Sequence, residues 1–233
     1  ALPQALAGAL GGALTCNDEV TAIGRDGAMW RVRTAHAEHR AEALVLSVPA
    51  YRAATLLQPL DAGIAAELAA IHYPPMASVA LGFERDAISH PLDGFGVLLP
   101  SLARRPTLGA LFSSTLFPGR APAGQVLLTA FMGGARNEAV AALDEAEIVR
   151  QVLADLTPLL GLRAPPVFKR VRRWLHAIPQ YELGHLERLA RIDDRLARFP
   201  GLHVRANWRD GISVADCVAN AALCAARLSD RLR

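Results

Sequence analysis

Tyr73-Pro74-Pro75 is the feature that most restricts how this chain can fold. Proline fixes φ, offers no backbone N–H and drives the residue before it out of the helical region. No helix and no inner strand can cross the pair. The two sides also differ in pattern. Before the break, Pro3–Leu14 reads as a short helix with Leu6 and Leu10 on one side, weakened at its end by Gly11 and Gly12. Glu19–Ile23 and Ala28–Thr34 read as strands joined by a turn at Asp26-Gly27. Glu42–Val48 is almost wholly apolar, as in a strand buried on both faces of a parallel sheet, and Pro49 stops it. Ala50–Leu57 is one or two helical turns. Asp61–Ile71 is a helix with Ile64, Leu68 and Ile71 on one face.

Beyond the break, strands dominate: Ser78–Phe83, Gly94–Leu99, Leu108–Ser113, Gln125–Met132 and Val167–Trp174. One strong helix interrupts them, Asp144–Leu160. It has Asp144 as N-cap, acids in its first turn and Ile148, Val152, Leu156 and Leu159 on one face. Pro158 is expected to kink or end it. Leu186–Phe199 is an amphipathic helix, Leu202–Val204 a last strand and Ser213–Leu232 a C-terminal helix. This order predicts an α+β middle domain inserted into a layered α/β frame. The boundaries fall at 1–72, 73–183 and 184–233, the last segment returning to the first domain.

Composition removes several classes of function. Half the residues are apolar, enough for a substantial core. Net charge is only +3, carried almost entirely by scattered arginines, with no stacking platform of aromatic and basic residues. Nucleic acid is therefore not an expected partner. Cys16, Cys217 and Cys224 form no CxxC pair, which argues against a disulfide framework or structural zinc and favours a reducing cytoplasm. Cys217 and Cys224 are one heptad apart and read as small buried residues on a helix. His36 and His39 lie in a polar loop with no third ligand nearby, so no metal site is expected.

No nucleophile or tuned acid–base pair is legible, and GxSxG, HExxH and GK[ST] motifs are absent. No side chain is assigned a catalytic role, so any chemistry here falls to a cofactor. One segment does suggest a ligand. Leu202–Asn207 is a strand, Trp208–Gly211 a glycine turn, and Ile212–Cys217 opens a long helix. Free N–H groups and the positive helix end suit a phosphate or an electron-rich ring oxygen. The competing reading is structural, with Ser213 as N-cap and Asp216 completing a capping box.

That same segment, Ala206-Asn207 followed by Gly211-Ile-Ser-Val-Ala-Asp-Cys-Val218, resembles the C-terminal flavin-contacting motif of the protoporphyrinogen oxidases, within the flavin amine-oxidase superfamily. Other stretches agree in order along the chain. They include Tyr73-Pro-Pro-Met76, Gly94-Phe-Gly-Val-Leu-Leu-Pro100, Leu108-Gly-Ala-Leu-Phe-Ser-Ser114, Leu116-Phe-Pro118 and Arg120-Ala-Pro122. They continue with Phe131-Met-Gly-Gly-Ala-Arg-Asn137, Arg173-Trp174, Ala177-Ile-Pro-Gln-Tyr181 and Gly184-His185.

The resemblance implies part of a Rossmann-like FAD-binding domain carrying an inserted mixed-sheet substrate-binding domain. It implies oxidation of a porphyrinogen, with FAD as cofactor and oxygen as acceptor. By the same resemblance Val20 contacts the adenine of FAD and Trp174 lies near the flavin. Asn207, Ile212, Ser213 and Val214 form the C-terminal flavin-contacting turn. Leu98 and Phe117 sandwich the tetrapyrrole. For Leu98, Phe117 and Trp174 the competing reading is packing in a core. Arg205 stands where the family has a small residue and could crowd the turn. No GxGxxG unit is present, so the N-terminal half of the same enzyme is an implied partner. Peripheral association with the cytoplasmic membrane through an apolar patch and a homodimer are further expectations. The substrate is protoporphyrinogen or coproporphyrinogen. A different flavin amine oxidase, or a porphyrin-binding module without catalysis, are the alternatives.

Overall fold

The computed structural model describes residues 2–231. The chain forms two compact units. One comprises residues 1–72 and 181–233, the other Tyr73–Gln180. The first unit begins with α1 (Leu2–Leu10). It continues through β1 (Val20–Asp26), β2 (Met29–Thr34), β3 (Glu38–Ala41), β4 (Leu44–Leu46), α2 (Ala50–Leu57) and α3 (Ala62–Ala69). The second contains β5 (Met76–Glu84), β6 (Gly96–Leu98), β7 (Thr107–Leu111), α4 (Ser113–Leu116), β8 (Gln125–Gly133), α5 (Glu145–Leu160) and β9 (Phe168–Trp174). The chain then rejoins the first unit with α6 (His185–Leu196), β10 (Leu202–Val204) and α7 (Val214–Arg231). The expected end of α7 at Leu232 lies outside the described residues.

In the first unit β1, β2 and β3 form an antiparallel meander. His39 belongs to β3 and pairs with Val32, so it is not in a loop. Trp30 on β2 is fully buried and its indole N–H donates to the Pro200 carbonyl at 3.0 Å, tying the meander to the approach to β10. The strand expected over 42–48 is only Leu44–Leu46. It does pair in parallel, with Leu202–Val204 of β10. It is not buried on both faces, because β10 is its one neighbour among the described residues and Val45 stays 40% exposed. Asp61 caps α3 by accepting from the Ile64 N–H, and its carboxylate pairs with Arg195 of α6 and with Arg198 just beyond its end. Glu67 of α3 pairs with Arg188 and Arg191, so two carboxylates clamp the two helices together. Among the described residues no helix is long and apolar enough to cross a membrane.

The second unit is one five-stranded sheet in the order β6-β7-β8-β5-β9. All its pairings are antiparallel, so the expected mixed sheet is not what forms. Residues alternate between faces along each strand. Val97, Ala110, Ala130, Val79 and Val171 lie in one row across all five strands on the inner face. That face, with Ala77, Leu81, Phe83, Leu128 and Met132, packs under Ile148, Val152, Leu156 and Leu160 of α5. Pro158 does not end α5. The helix runs to Leu160 and stops at Gly161, whose φ of 62° is the left-handed conformation that glycine adopts without cost. Pro158 lies in the last turn, where the helix is about to end in any case.

One polar group is built into this core. The Asp155 carboxylate is buried in α5. It accepts from the Thr107 backbone N–H at 3.0 Å and from Arg105 at 3.1 Å, fixing the start of β7 to the helix. Asp155→Ala would leave the Thr107 N–H buried and unpaired. A loss of about 1–3 kcal/mol is expected in urea unfolding, with Asp155→Asn losing less because it keeps one acceptor.

Candidate functional site

The outer face of the five-stranded sheet carries a cavity of about 530 Å³. The register explains its position. Leu98, Gly109, Phe131, Ser78 and Arg172 form one row across β6, β7, β8, β5 and β9. In the next row stand Gly96, Leu111, Thr129, Ala80 and Arg170. Leu98, Leu111, Phe131, Met76 and Ile178 line the cavity, and Gly109 forms part of its floor. A Cβ on Gly109 would lie 2.4 Å from the Val97 carbonyl oxygen, so no larger residue fits between these strands. Such a surface takes a flat apolar ligand. Trp174 faces the same side, directly opposite Met76 in the β5–β9 pairing, and is 48% exposed.

In the first unit a second site surrounds the turn between β10 and α7. Trp208 anchors it from below: its side chain is fully buried and its indole N–H donates to the Val48 carbonyl at 3.2 Å. Above it, one hydroxyl holds both ends of the turn. The Tyr181 O–H donates to the Asn207 carbonyl at 2.7 Å and accepts from the Gly211 N–H at 3.2 Å. Burial is the main cause that raises the Tyr181 pKa, against the opposing Gly211 bond, so the hydroxyl stays protonated as this pattern requires. Tyr181 stacks on His185, with ring centroids 4.3 Å apart. His185 is buried at the start of α6. Its Nε2 lies 2.9 Å from the Trp208 carbonyl, which can only accept, so Nε2 carries the proton. Arg209 pairs with Asp193 at 2.6 Å, and the Asn220 side chain donates to the Asp210 carbonyl at 2.8 Å. The turn is thus held from α6, from α7 and from below.

A cavity of about 450 Å³ adjoins this turn, lined by Val45, Asn207, Gly211, Cys217 and Cys224 among others. Cys224 is buried and Cys217 half-buried along it, so the two cysteines face one cavity and only one is a core residue. At the start of α7 the capping box forms: the Asp216 N–H donates to Ser213 Oγ at 3.0 Å, and Ser213 Oγ donates to the Asp216 carboxylate at 2.7 Å. The Ser213 N–H also turns to that carboxylate, at 3.3 Å. The Ser213 side chain is therefore occupied within the chain. What the helix start offers outward is the backbone of Val214 and Ala215, whose N–H groups have no acceptor inside the helix. Ile212 and Val214 are exposed beside them.

The structure gathers Asn207, Ile212, Ser213 and Val214 in this one turn. Val20 is half-buried at the first position of β1, in the same unit. Leu98 and Phe117 are 88% and 53% exposed, and Trp174 also reaches solvent, so none of the three is core packing. Leu98 lines the sheet cavity and Phe117 does not. One face of Phe117 is covered by the Arg120 guanidinium at 5.3 Å. Arg205 lines the cavity that adjoins the turn. Its guanidinium is drawn to the Val204 carbonyl at 3.0 Å and to Asp210 at 3.4 Å. The residues that sequence reasoning left without a role are Tyr181, His185 and Phe131. Two of them lie within the Pro-Gln-Tyr and Gly-His stretch, whose signal was present without a partner to interpret it.

An α/β unit with a parallel β4–β10 pair and a glycine turn before α7, carrying an inserted sheet with an apolar cavity, defines the class. The chain belongs to the family of flavin containing amine oxidoreductases, whose model matches residues 1–229. It is 36% identical over 203 residues to the chloroplastic protoporphyrinogen oxidase of Oryza sativa subsp. japonica, covering 83% of this chain and 38% of that one. It is 28% identical to the coproporphyrinogen III oxidase of Bacillus subtilis, covering 76% of this chain and 38% of that one. A solved structure from Exiguobacterium sp. 255-15, assigned as a protoporphyrinogen oxidase, superposes with a TM-score of 0.78 at 25% identity over 91% of this chain and 46% of that one. A redesigned putrescine oxidase shares the fold, with a TM-score of 0.76 at 17% identity over 97% of this chain and 51% of that one. The chain thus spans little more than a third of the length of these curated relatives.

Two outcomes are expected. Tyr181→Phe removes both hydrogen bonds that close the 207–211 turn. It should lower stability by about 1–2 kcal/mol and raise the rate of proteolysis at the turn, while Tyr181→Leu, which also loses the stack on His185, should do more. The His185 pKa is lowered from 6.5, by burial first and by Arg188 as well, against the raising effect of the Trp208 carbonyl. The unfolded chain therefore binds a proton there more readily than the folded one. The stability contribution is intact above the ordinary histidine value and falls as pH drops through it toward the depressed value. Urea midpoints measured at about pH 7.5 and about pH 5.5 should differ in the parent and differ less in His185→Gln.

Proposed function

We propose that this chain is the C-terminal part of an FAD-dependent oxidase that converts a porphyrinogen, protoporphyrinogen IX first, to the aromatic porphyrin in haem biosynthesis. The observation that carries the reading is the apolar cavity around Leu98, Phe131 and Met76 on the open face of the sheet. Its support is the 36% identity to a protein named for protoporphyrinogen oxidation. A non-polar cavity on a flat face suits a planar macrocycle, and dispersion from Leu98 with stacking on Phe131 would hold it. The same walls keep water from the carbons to be oxidised.

The residues present fit a flavin in part. The open N–H groups of Val214 and Ala215, at the positive end of an 18-residue helix, suit an electron-rich ring oxygen. The turn held by Tyr181 and Trp208 presents Asn207 and Ile212 beside them. Val20, at the start of β1, is the candidate for the adenine. The chemistry that FAD supplies when bound is two-electron oxidation of the macrocycle, with oxygen as final acceptor and peroxide as product. Aromatisation drives the reaction, so these residues have to position and shield more than to activate. A pyrophosphate cradle is supplied, in this reading, by the part of the relatives that this chain does not span.

The test is the full-length enzyme containing this chain, reconstituted with FAD and given protoporphyrinogen IX or coproporphyrinogen III while porphyrin fluorescence is followed. Porphyrin should form with one peroxide released per two electrons. An enzyme that holds FAD but oxidises a primary amine and neither porphyrinogen would overturn the reading. Faster turnover of coproporphyrinogen would move it to the reaction for which the Bacillus relative is named.

A further inference from the structure

The edge strand β9 carries four basic residues, Lys169, Arg170, Arg172 and Arg173, and the register divides them between the two faces. Lys169 and Arg173 lie opposite Leu81 and Ala77, on the side of α5. Arg173 is tied down there by a 2.8 Å bond to the Leu143 carbonyl. Arg170 and Arg172 lie opposite Ala80 and Ser78, on the face that holds the cavity. Charges on an edge strand protect a sheet from pairing with a second one. That need is met by any of the four and gives no reason for two arginines beside a cavity. Among the described residues neither Arg170 nor Arg172 has a carboxylate partner.

Three features make them a recognition pair. In the row Leu98-Gly109-Phe131-Ser78-Arg172, only the small Ser78 separates the arginine from the cavity wall. Phe131 and Arg172 are two strand spacings apart, roughly 10 Å. The Arg172 guanidinium lies over the Trp174 ring, 4.8 Å from its centroid, and among the described residues no carboxylate takes its N–H groups. Arg170 stands two residues earlier on the strand, about 7 Å away on the same face. A planar fork of donors is matched to a carboxylate.

We propose that Arg172, with Arg170 beside it, receives the carboxylate groups of the substrate whose apolar body occupies the Leu98–Phe131 cavity. This rests on the porphyrinogen reading above and sharpens it. Protoporphyrinogen carries two propionates on one edge of its macrocycle, and these arginines stand together on one edge of the sheet.

The test titrates the chain with protoporphyrin IX and with its dimethyl ester, following the Soret band. Variants R172Q, R170Q and K169Q are compared, the last removing one charge from the other face of the same strand. The parent should bind the diacid at least about tenfold more tightly than the ester. R172Q should remove most of that preference and R170Q part of it, with ester affinity unchanged, while K169Q leaves both affinities alone. Equal binding of diacid and ester by the parent overturns the assignment and leaves the cavity reading standing, as does an equal loss in R172Q and K169Q. Failure of the parent to bind either porphyrin removes the porphyrinogen reading itself, and this proposal with it.

Discussion

The inserted unit depends on closure of one face of its sheet by α5. Ile148, Val152, Leu156 and Leu160 cover the row from Val97 to Val171, and this burial is what holds five strands in register. Because side chains alternate with a period of two, fixing the inner row fixes the outer one. A slip of one residue would send Leu98, Phe131 and Met76 into the core and bring alanines and valines to the surface. The cavity is therefore a consequence of core packing on the opposite side of the same strands. The Asp155 carboxylate, reaching from α5 to the start of β7, adds a polar constraint to the same register.

The first unit solves a different problem. The turn between β10 and α7 keeps a local bond at its entry, from the Arg209 N–H to the Ala206 carbonyl at 3.1 Å. Here Asn207–Gly211 is held by neighbours. Tyr181 bridges its two ends, Trp208 sinks beneath it, His185 takes the Trp208 carbonyl, and Asn220 takes that of Asp210. Gly211 has a φ of 127° and its missing Cβ would sit 2.4 Å from the Asp216 Cβ, so the same glycine that bends the chain makes room for the cap of α7. Ser213 and Asp216 satisfy each other, which leaves the N–H groups of Val214 and Ala215 as the outward donors.

Much of this was legible in the sequence. The break at Tyr73-Pro74-Pro75, the cap Asp144 and the strand at Leu202–Val204 follow from local chemistry. So does the capping box at Ser213, because its two partners are three residues apart. The direction of the inserted sheet was not legible: strand propensity says nothing about which strand lies beside which, and β5 pairs with β8 and β9, far along the chain. Exposure was hidden for the same reason. Leu98 and Trp174 have the composition of core residues, and only the burial of the opposite face shows that they stand outside it; Phe117 ends α4 and is exposed there.

The sequence by itself determined most of the longer elements, the glycine turn before α7 and the family to which the chain belongs, because each rests on residues close together or on ordered motifs. Tertiary structure alone decided what those motifs do. Tyr181 is 26 residues from Asn207 and 30 from Gly211, and nothing local reveals that its hydroxyl closes their turn. Arg172 is indistinguishable from Arg173 in composition. One lies on the face that carries the cavity and the other is bonded to Leu143, because adjacent residues on a strand point to opposite faces and the packing of α5 settles which face is which.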